Sequence, residues 1–198
     1  MDEIKSAWEI ALERTKEIKT DRKALEEKEL VTEGKKIASQ YLDEAEMQEI
    51  SVAIKKIEAK SKKFVIKGIT NALLANYVLP LNEYAQARNS RVKEALKVIS
   101  GKSPAVESLL GQIDGFFDNY TNERSQIESS LEKQYAPRLR QKEAALAQQM
   151  GQPVELKAAQ DPEFIGLLKK NLGMYDEKYQ QVLNQAKEEI LRILGETM

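Results

Sequence analysis

Apolar residues recur three and four apart along most of this chain, the spacing that gathers them on one face of an α-helix. In the first stretch, from Asp2 to about Lys19, Ile4, Ala11, Ile18 and Leu25 repeat every seven residues, with Trp8 and Leu12 filling beside them. Thr20-Asp21 either caps a new helix or sits inside one that continues to about Tyr41-Leu42. Gly34 falls within that span, either as a close helix crossing or as a tolerated interior glycine, and the second is the commoner case. Asp43 is placed to cap the next helix, in which Met47, Ile50, Ile54, Ile57, Ser61 and Phe64 form a coiled-coil-like seam.

The most apolar stretch is FVIKGITNALLANYVLP, residues 64–80. Its run up to Leu79 makes about 24 Å of helix, short of the roughly 20 apolar residues of a membrane span. It also carries Lys67, Asn71 and Asn76. Apolar on more than half its circumference, it reads as the central helix of a domain, stopped by Pro80. Asn82 then caps a helix to Ile99 that turns Tyr84, Ala87, Arg91, Val92, Leu96 and Ile99 inward. In SGKSPAV, Gly101 ends that helix, Ser103 caps the next and Pro104 takes its first position. The GKS triplet is no phosphate loop, since Leu96 stands where that motif needs glycine and a helix precedes it.

From Pro104 a long helix carries Leu109, Ile113, Phe116, Phe117 and Tyr120 on a rich apolar face. The face thins to Ile127, Leu131, Tyr135, Leu139 and Leu146, and Pro137 predicts a kink or break near Gln134-Tyr135. The helix ends near Met150-Gly151, and Asp161-Pro162-Glu163 opens the last one. There Ile165, Leu168, Leu172, Tyr175, Tyr179, Val182 and Ala186 follow heptad spacing, closing with Ile190 and Ile193. The expected fold is all-α: a multi-helix bundle over 1–100, and a long antiparallel, coiled-coil-like hairpin over 103–198 packed on it at its base.

Composition narrows the chemistry. Of 198 residues, 41 % are apolar and 32 % charged, a mixture that suits long helices with wet surfaces. The chain lacks His and Cys, which removes zinc sites, thiolate chemistry and the usual neutral-pH general base. The net charge of −1 does not advertise nucleic-acid binding, and none is expected. The N-terminus lacks the features of a secretory signal, so a cytoplasmic location is the expectation.

Three groups of residues invite a functional reading. Asp114 and Asp118, four apart, share a helix face and with Glu123 are weak candidates to hold Mg²⁺ in a carboxylate-based phosphohydrolase-like enzyme. No metal, cofactor or catalytic residue is assigned on that basis. The run KKIEAKSKKFVIK, with Lys55, Lys56, Lys62 and Lys63, is either a patch for anionic membrane or nucleic acid, or lysines solvating an amphipathic helix. The second reading fits the balanced charge better. Tyr175 and Tyr179, four apart, read as core fillers or as an aromatic recognition stripe, and Tyr135 and Leu139 share the thin outer face. These lysines, tyrosines and Leu139 are the candidates for binding a partner.

The segments IKSAWEIALERT, EGKKIASQYL and DPEFIGLLKKNLGMYDEKYQQVLNQAKEEI resemble an uncharacterised bacterial all-helical family of unknown function. The resemblance spans both ends of the chain and implies no activity. The expected function is a non-catalytic interaction or scaffold protein that presents helical surfaces to a protein partner, with homodimerisation open. The carboxylate enzyme is the alternative, and a peripheral binder acting through the 55–67 lysines is a second one.

Overall fold

A computed structural model describes residues 7–43 and 49–197, with side chains for 22–43 and 49–195. Among the described residues the protein is all-α: α1 (Ala7–Asp43), α2 (Ile50–Lys55), α3 (Ala59–Ala75), α4 (Glu83–Ile99), α5 (Pro104–Met150) and α6 (Pro162–Thr197). One 3-10 turn, Ala158–Gln160, precedes α6. The chain divides into two compact units. The first comprises Met1–Tyr77, Arg88–Val106 and Leu194–Met198, and the second Val78–Ala87 and Glu107–Ile193.

In the first unit α1 packs along α3. Val65, Ile66, Ile69, Leu73 and Leu74 of α3 are buried, so the 64–80 stretch supplies a core helix as its composition predicts. The contact is close because two glycines meet. A Cβ on Gly34 would lie inside the Val65 carbonyl oxygen and 3.0 Å from the Gly68 Cα, and a Cβ on Gly68 would lie inside the Val31 carbonyl oxygen. Gly34 is therefore a crossing glycine and not a merely tolerated one. At the adjoining helix ends Arg88 bonds Asp43 (2.7 Å) through Nη1 and the Asn76 side-chain oxygen (3.1 Å) through Nε. The Arg91 guanidinium lies over the Tyr41 ring, 4.7 Å from its centre, and donates to the Tyr41 carbonyl.

Several expected boundaries and faces move. α1 is one helix through Thr20-Asp21, and Asp43 is its last residue rather than a cap for the next helix. Met47 and the heptad residues Ile4, Trp8, Ala11, Leu12 and Ile18 lie outside the described side chains. The seam expected from Met47 to Phe64 is not one helix: α2 ends at Lys55, and Glu58 takes an extended backbone (φ −60°, ψ 140°) before α3. No residue at Lys56–Glu58 is a helix breaker, so the break follows from packing and not from propensity. α3 stops at Ala75, before Pro80, because Asn76 folds back to donate from its side chain to the Ala72 carbonyl (2.8 Å). Along α4, Tyr84 and Ala87 face solvent, while Ala85, Asn89, Val92, Ala95 and Leu96 are buried.

The stop and start signals at Asn82, Gly101 and Pro104 hold. Asn82 accepts the Ala85 N–H (2.9 Å). Gly101 (φ 60°) donates to Val98 and Lys102 to Lys97, the paired bonds of a glycine-terminated helix. Pro104 opens α5. That helix runs unbroken through Pro137, so of the kink or break expected near Gln134-Tyr135 the break does not occur. The carbonyl that Pro137 leaves without its helical donor belongs to Lys133, and both residues are exposed, so water can serve it.

The second unit is an antiparallel pairing of α5 and α6. Tyr120 meets Tyr175 and Asp176, and Tyr135 meets Phe164 and Asp161. On α6 the inward residues are Phe164, Leu168, Leu172, Tyr175, Tyr179, Leu183, Ala186 and Ile190, spaced four, four and three apart. The heptad expectation put Ile165 and Val182 inward, but both are exposed. An 11-residue period of about 3.67 residues per turn lies close to that of a relaxed helix, so the seam follows the helix without the left-handed supercoil of a heptad.

Gly68→Ala is expected to destabilise the protein by about 1–3 kcal/mol, because the backbone of α1 must shift to admit a methyl group. Gly166→Ala, at a site with open space around it, should be neutral or slightly stabilising. Urea unfolding of both variants checks this, and equal midpoints would contradict the close crossing.

Candidate functional site

The polar chemistry of the second unit sits in the seam, where an apolar stripe alone does not fill the interface. Tyr120 is fully buried, and its hydroxyl donates to Asp176 (2.7 Å). Arg124, one turn on, donates to both Asp176 oxygens (2.8 and 2.9 Å) and to the Tyr120 hydroxyl (3.1 Å). Tyr175 and Tyr179 both donate to Glu123 (2.8 and 3.1 Å). Tyr175 stacks on Tyr120 with ring centres 5.6 Å apart, and Tyr179 packs on Phe116 at 4.7 Å. Burial first, then the bond to Asp176, pushes the Tyr120 hydroxyl up to about 12. Tyr175 is also pushed up, again chiefly by burial, with Tyr179 and Glu123 adding to it. Hydroxyls held this firmly in the neutral form are structural donors, far from the pKa that acid–base catalysis at neutral pH uses.

Toward the 151–161 loop, Leu131, Tyr135 and Phe164 form a small core flanked by Ile127, Leu139, Ala158 and Leu168. Asp161 organises it. One carboxylate oxygen accepts the Glu163 N–H (3.0 Å) as the N-cap of α6, and the other accepts the Tyr135 hydroxyl (2.9 Å) and Lys142 (2.6 Å). Lys142 also reaches Glu163 (3.1 Å), which Arg138 pairs from the other side. The Lys142 ammonium holds the carboxyls of Asp161 and Glu163 below the usual range, and Asp161 first among its partners pushes Lys142 up. The stabilisation from these lowered carboxyls is present above about pH 4 and is lost as the pH falls through their folded pKa values.

The partner candidates thus divide. Tyr135, Leu139, Tyr175 and Tyr179 are brought into the hairpin's own packing, together with Glu123 of the metal candidates. Asp118 is exposed on α5 and Asp114 half-buried. Among the described residues no three acidic side chains gather closely enough to hold a metal ion. Lys55, Lys56, Lys62 and Lys63 are exposed in the first unit. No described helix is long and apolar enough to cross a membrane.

A groove that the periodicity does not reveal lies between the Val78–Ala85 segment and α6. Val78, Leu79, Leu81, Asn82, Tyr84 and Ala85 face Gly173, Asp176, Glu177 and Gln180 around a volume of about 580 Å³. Val78, Leu81 and Tyr84 are 37, 57 and 69 % exposed. The α6 side is open at Gly173, where a Cβ would have no neighbour within 4 Å. Its signal in the sequence is the LPLNEY segment just beyond a core helix, apolar residues where a solvated loop would be polar.

Two outcomes test the seam. In a spectrophotometric alkaline titration Tyr120 should ionise about two pH units late. Its raised pKa then withdraws stability as the pH climbs from about 10 to about 12. A full complement of tyrosines ionising near pH 10 with the fold intact would contradict this. Asp161→Asn keeps a cap but removes the charge. Amide exchange over 131–142 and 161–168 should accelerate several-fold at neutral pH, with 110–117 and 183–190 unchanged and the acid-induced loosening of the loop end reduced. Unaltered exchange would show that the network contributes nothing.

Comparison with known proteins adds a family but no activity. Residues 51–192 match a family of unknown function, DUF6657. The match takes in the 161–190 segment that resembles uncharacterised proteins, and lies outside the two segments nearer the N-terminus. Neither a curated protein nor a solved structure matches the chain. With most of its length covered, the chain belongs to the DUF6657 family of unknown function.

Proposed function

We propose that the protein is a non-catalytic, cytoplasmic interaction protein that presents helical surfaces to a protein partner. The observation that carries this reading is the groove beside α6. Leu81 and Tyr84 stay exposed beside an open cleft with mostly apolar walls and a few polar groups, the combination that binding sites use. Its form suits an amphipathic helix whose apolar anchors enter between the Val78–Ala85 segment and Gly173. Glu177 is exposed at the edge, so a basic residue beside those anchors completes the fit. Exposed Leu167 and Met174, seven apart on α6, offer further contact area on the same helix.

The polar residues support the same reading from the other side. Tyr120, Tyr135, Tyr175, Arg124, Lys142, Asp161 and Asp176 bond one another across the hairpin. The carboxylate-enzyme alternative has no group of three acids to rest on among the described residues.

Leu81→Glu/Tyr84→Glu tests the reading. Both positions are exposed, so stability should stay within about 0.5 kcal/mol. In an affinity capture from native lysate, a protein that the unaltered chain retains should be lost with the double variant. Equal recovery by both would place recognition elsewhere, and recovery of no protein by the unaltered chain would remove the reading.

A further inference from the structure

A second surface, in the first unit, has a different character. Residues 55–67 carry six lysines, Lys55, Lys56, Lys60, Lys62, Lys63 and Lys67, against the single acid Glu58, a net charge of +5 in a chain whose total is −1. All six are exposed. Lys60 pairs with Glu58 at 3.1 Å, and the other five make no ion pair with a described residue. The nearest described acids before the segment are Asp43, paired with Arg88, and Glu49, which accepts from Ser51, and neither forms an ion pair with these lysines. Lys60, Lys63 and Lys67 stand three and four apart on one face of α3.

The apolar residues in this segment are not sequestered as a continuous helical seam would require. Val52, inside α2, is 48 % exposed, and Ile54, Ile57 and Phe64 on either side of the α2–α3 break are only half-buried. Lysine stems lying over a seam would account for the charges but not for an open valine and a turn isoleucine in their midst.

We propose that the α2–α3 surface binds the face of an anionic lipid bilayer. Clusters of four to eight basic residues are the electrostatic signature of such binding, and each lysine near the surface adds roughly fivefold to the affinity. Val52 and Ile57 supply the shallow apolar insertion that holds a peripheral protein at the headgroup level. Nucleic acid fits less well. Every cation of the segment is a lysine, which lacks the planar fork of arginine, and no fully exposed aromatic side chain is present to stack on a base. The surface lies in a different unit from the Leu81–Tyr84 groove, so either can fail without the other.

Co-sedimentation of the full chain with vesicles tests the proposal. Phosphatidylcholine vesicles containing about one third phosphatidylserine should retain the protein at about 0.1 M salt and release it at about 0.5 M, while phosphatidylcholine alone should not bind it. Lys62→Glu/Lys63→Glu/Lys67→Glu should weaken binding at least about 100-fold. Its three sites are exposed, so its thermal unfolding should match that of the unaltered chain. Val52→Asn should weaken binding at fixed charge. No retention on anionic vesicles at low salt, or retention undiminished in the triple variant, would overturn the proposal. So would tight binding to a DNA duplex with none to vesicles.

Discussion

The register of the hairpin turns on one half-buried polar contact, the Asp176 carboxylate shared by the Tyr120 hydroxyl and the Arg124 guanidinium. Two helices of 47 and 36 residues joined by a short loop have many apolar registers available to them, because a leucine layer accepts almost any leucine opposite. A charge in the seam does not. Sliding α6 by one turn, about 5.4 Å, would take Asp176 away from both partners and leave its carboxylate and the buried Tyr120 hydroxyl without them, while Arg124 would keep only Glu128 on its own helix. The register that satisfies Asp176 also stacks Tyr175 on Tyr120 and brings Asp161 to Tyr135 and Lys142 near the loop. The polar network thus selects the arrangement in which the apolar layers contribute.

The first unit is governed by a steric constraint instead. Gly34 and Gly68 let two backbones approach to a distance that no Cβ permits. That approach places Val65, Ile69 and Leu73 deep in the core and brings the ends of α1 and α3 within reach of Arg88. Close backbone contact gives dispersion over a long stretch at the cost of two residues with poor helix propensity.

What could be read from the sequence was mostly local. Caps and stops at Asn82, Gly101-Pro104, Gly151 and Asp161-Pro162 are legible because the residues that make them are adjacent in the chain. The all-α class follows from spacing in the same way. Relations between helices were less legible. Gly34 looks like any interior glycine until Gly68 is placed against it. Val182 and Leu183 are neighbouring apolar residues, and over a few turns a heptad and an 11-residue repeat choose between them differently on little evidence. The break at Lys56–Glu58 has no breaker residue to announce it, and the role of Asp161 depends on Lys142 and Tyr135 from the facing helix. The groove beside Gly173 was hidden because its two walls are far apart in the chain.

Of the three acids that sequence reasoning offers to a metal site, only Glu123 is tied into the hairpin, through Tyr175 and Tyr179, while Asp118 is exposed and apolar side chains such as Leu81 are left at the surface. The proposed interaction rests on those exposed side chains. The most direct measurement is site-specific photo-crosslinking in the native cell, with a photoreactive residue at position 84 in the groove and, as a control, at exposed position 148 of α5. A single protein joined to the chain from position 84 and absent from position 148 is the predicted result. The same products from both positions, or none from position 84, would contradict recognition through the groove.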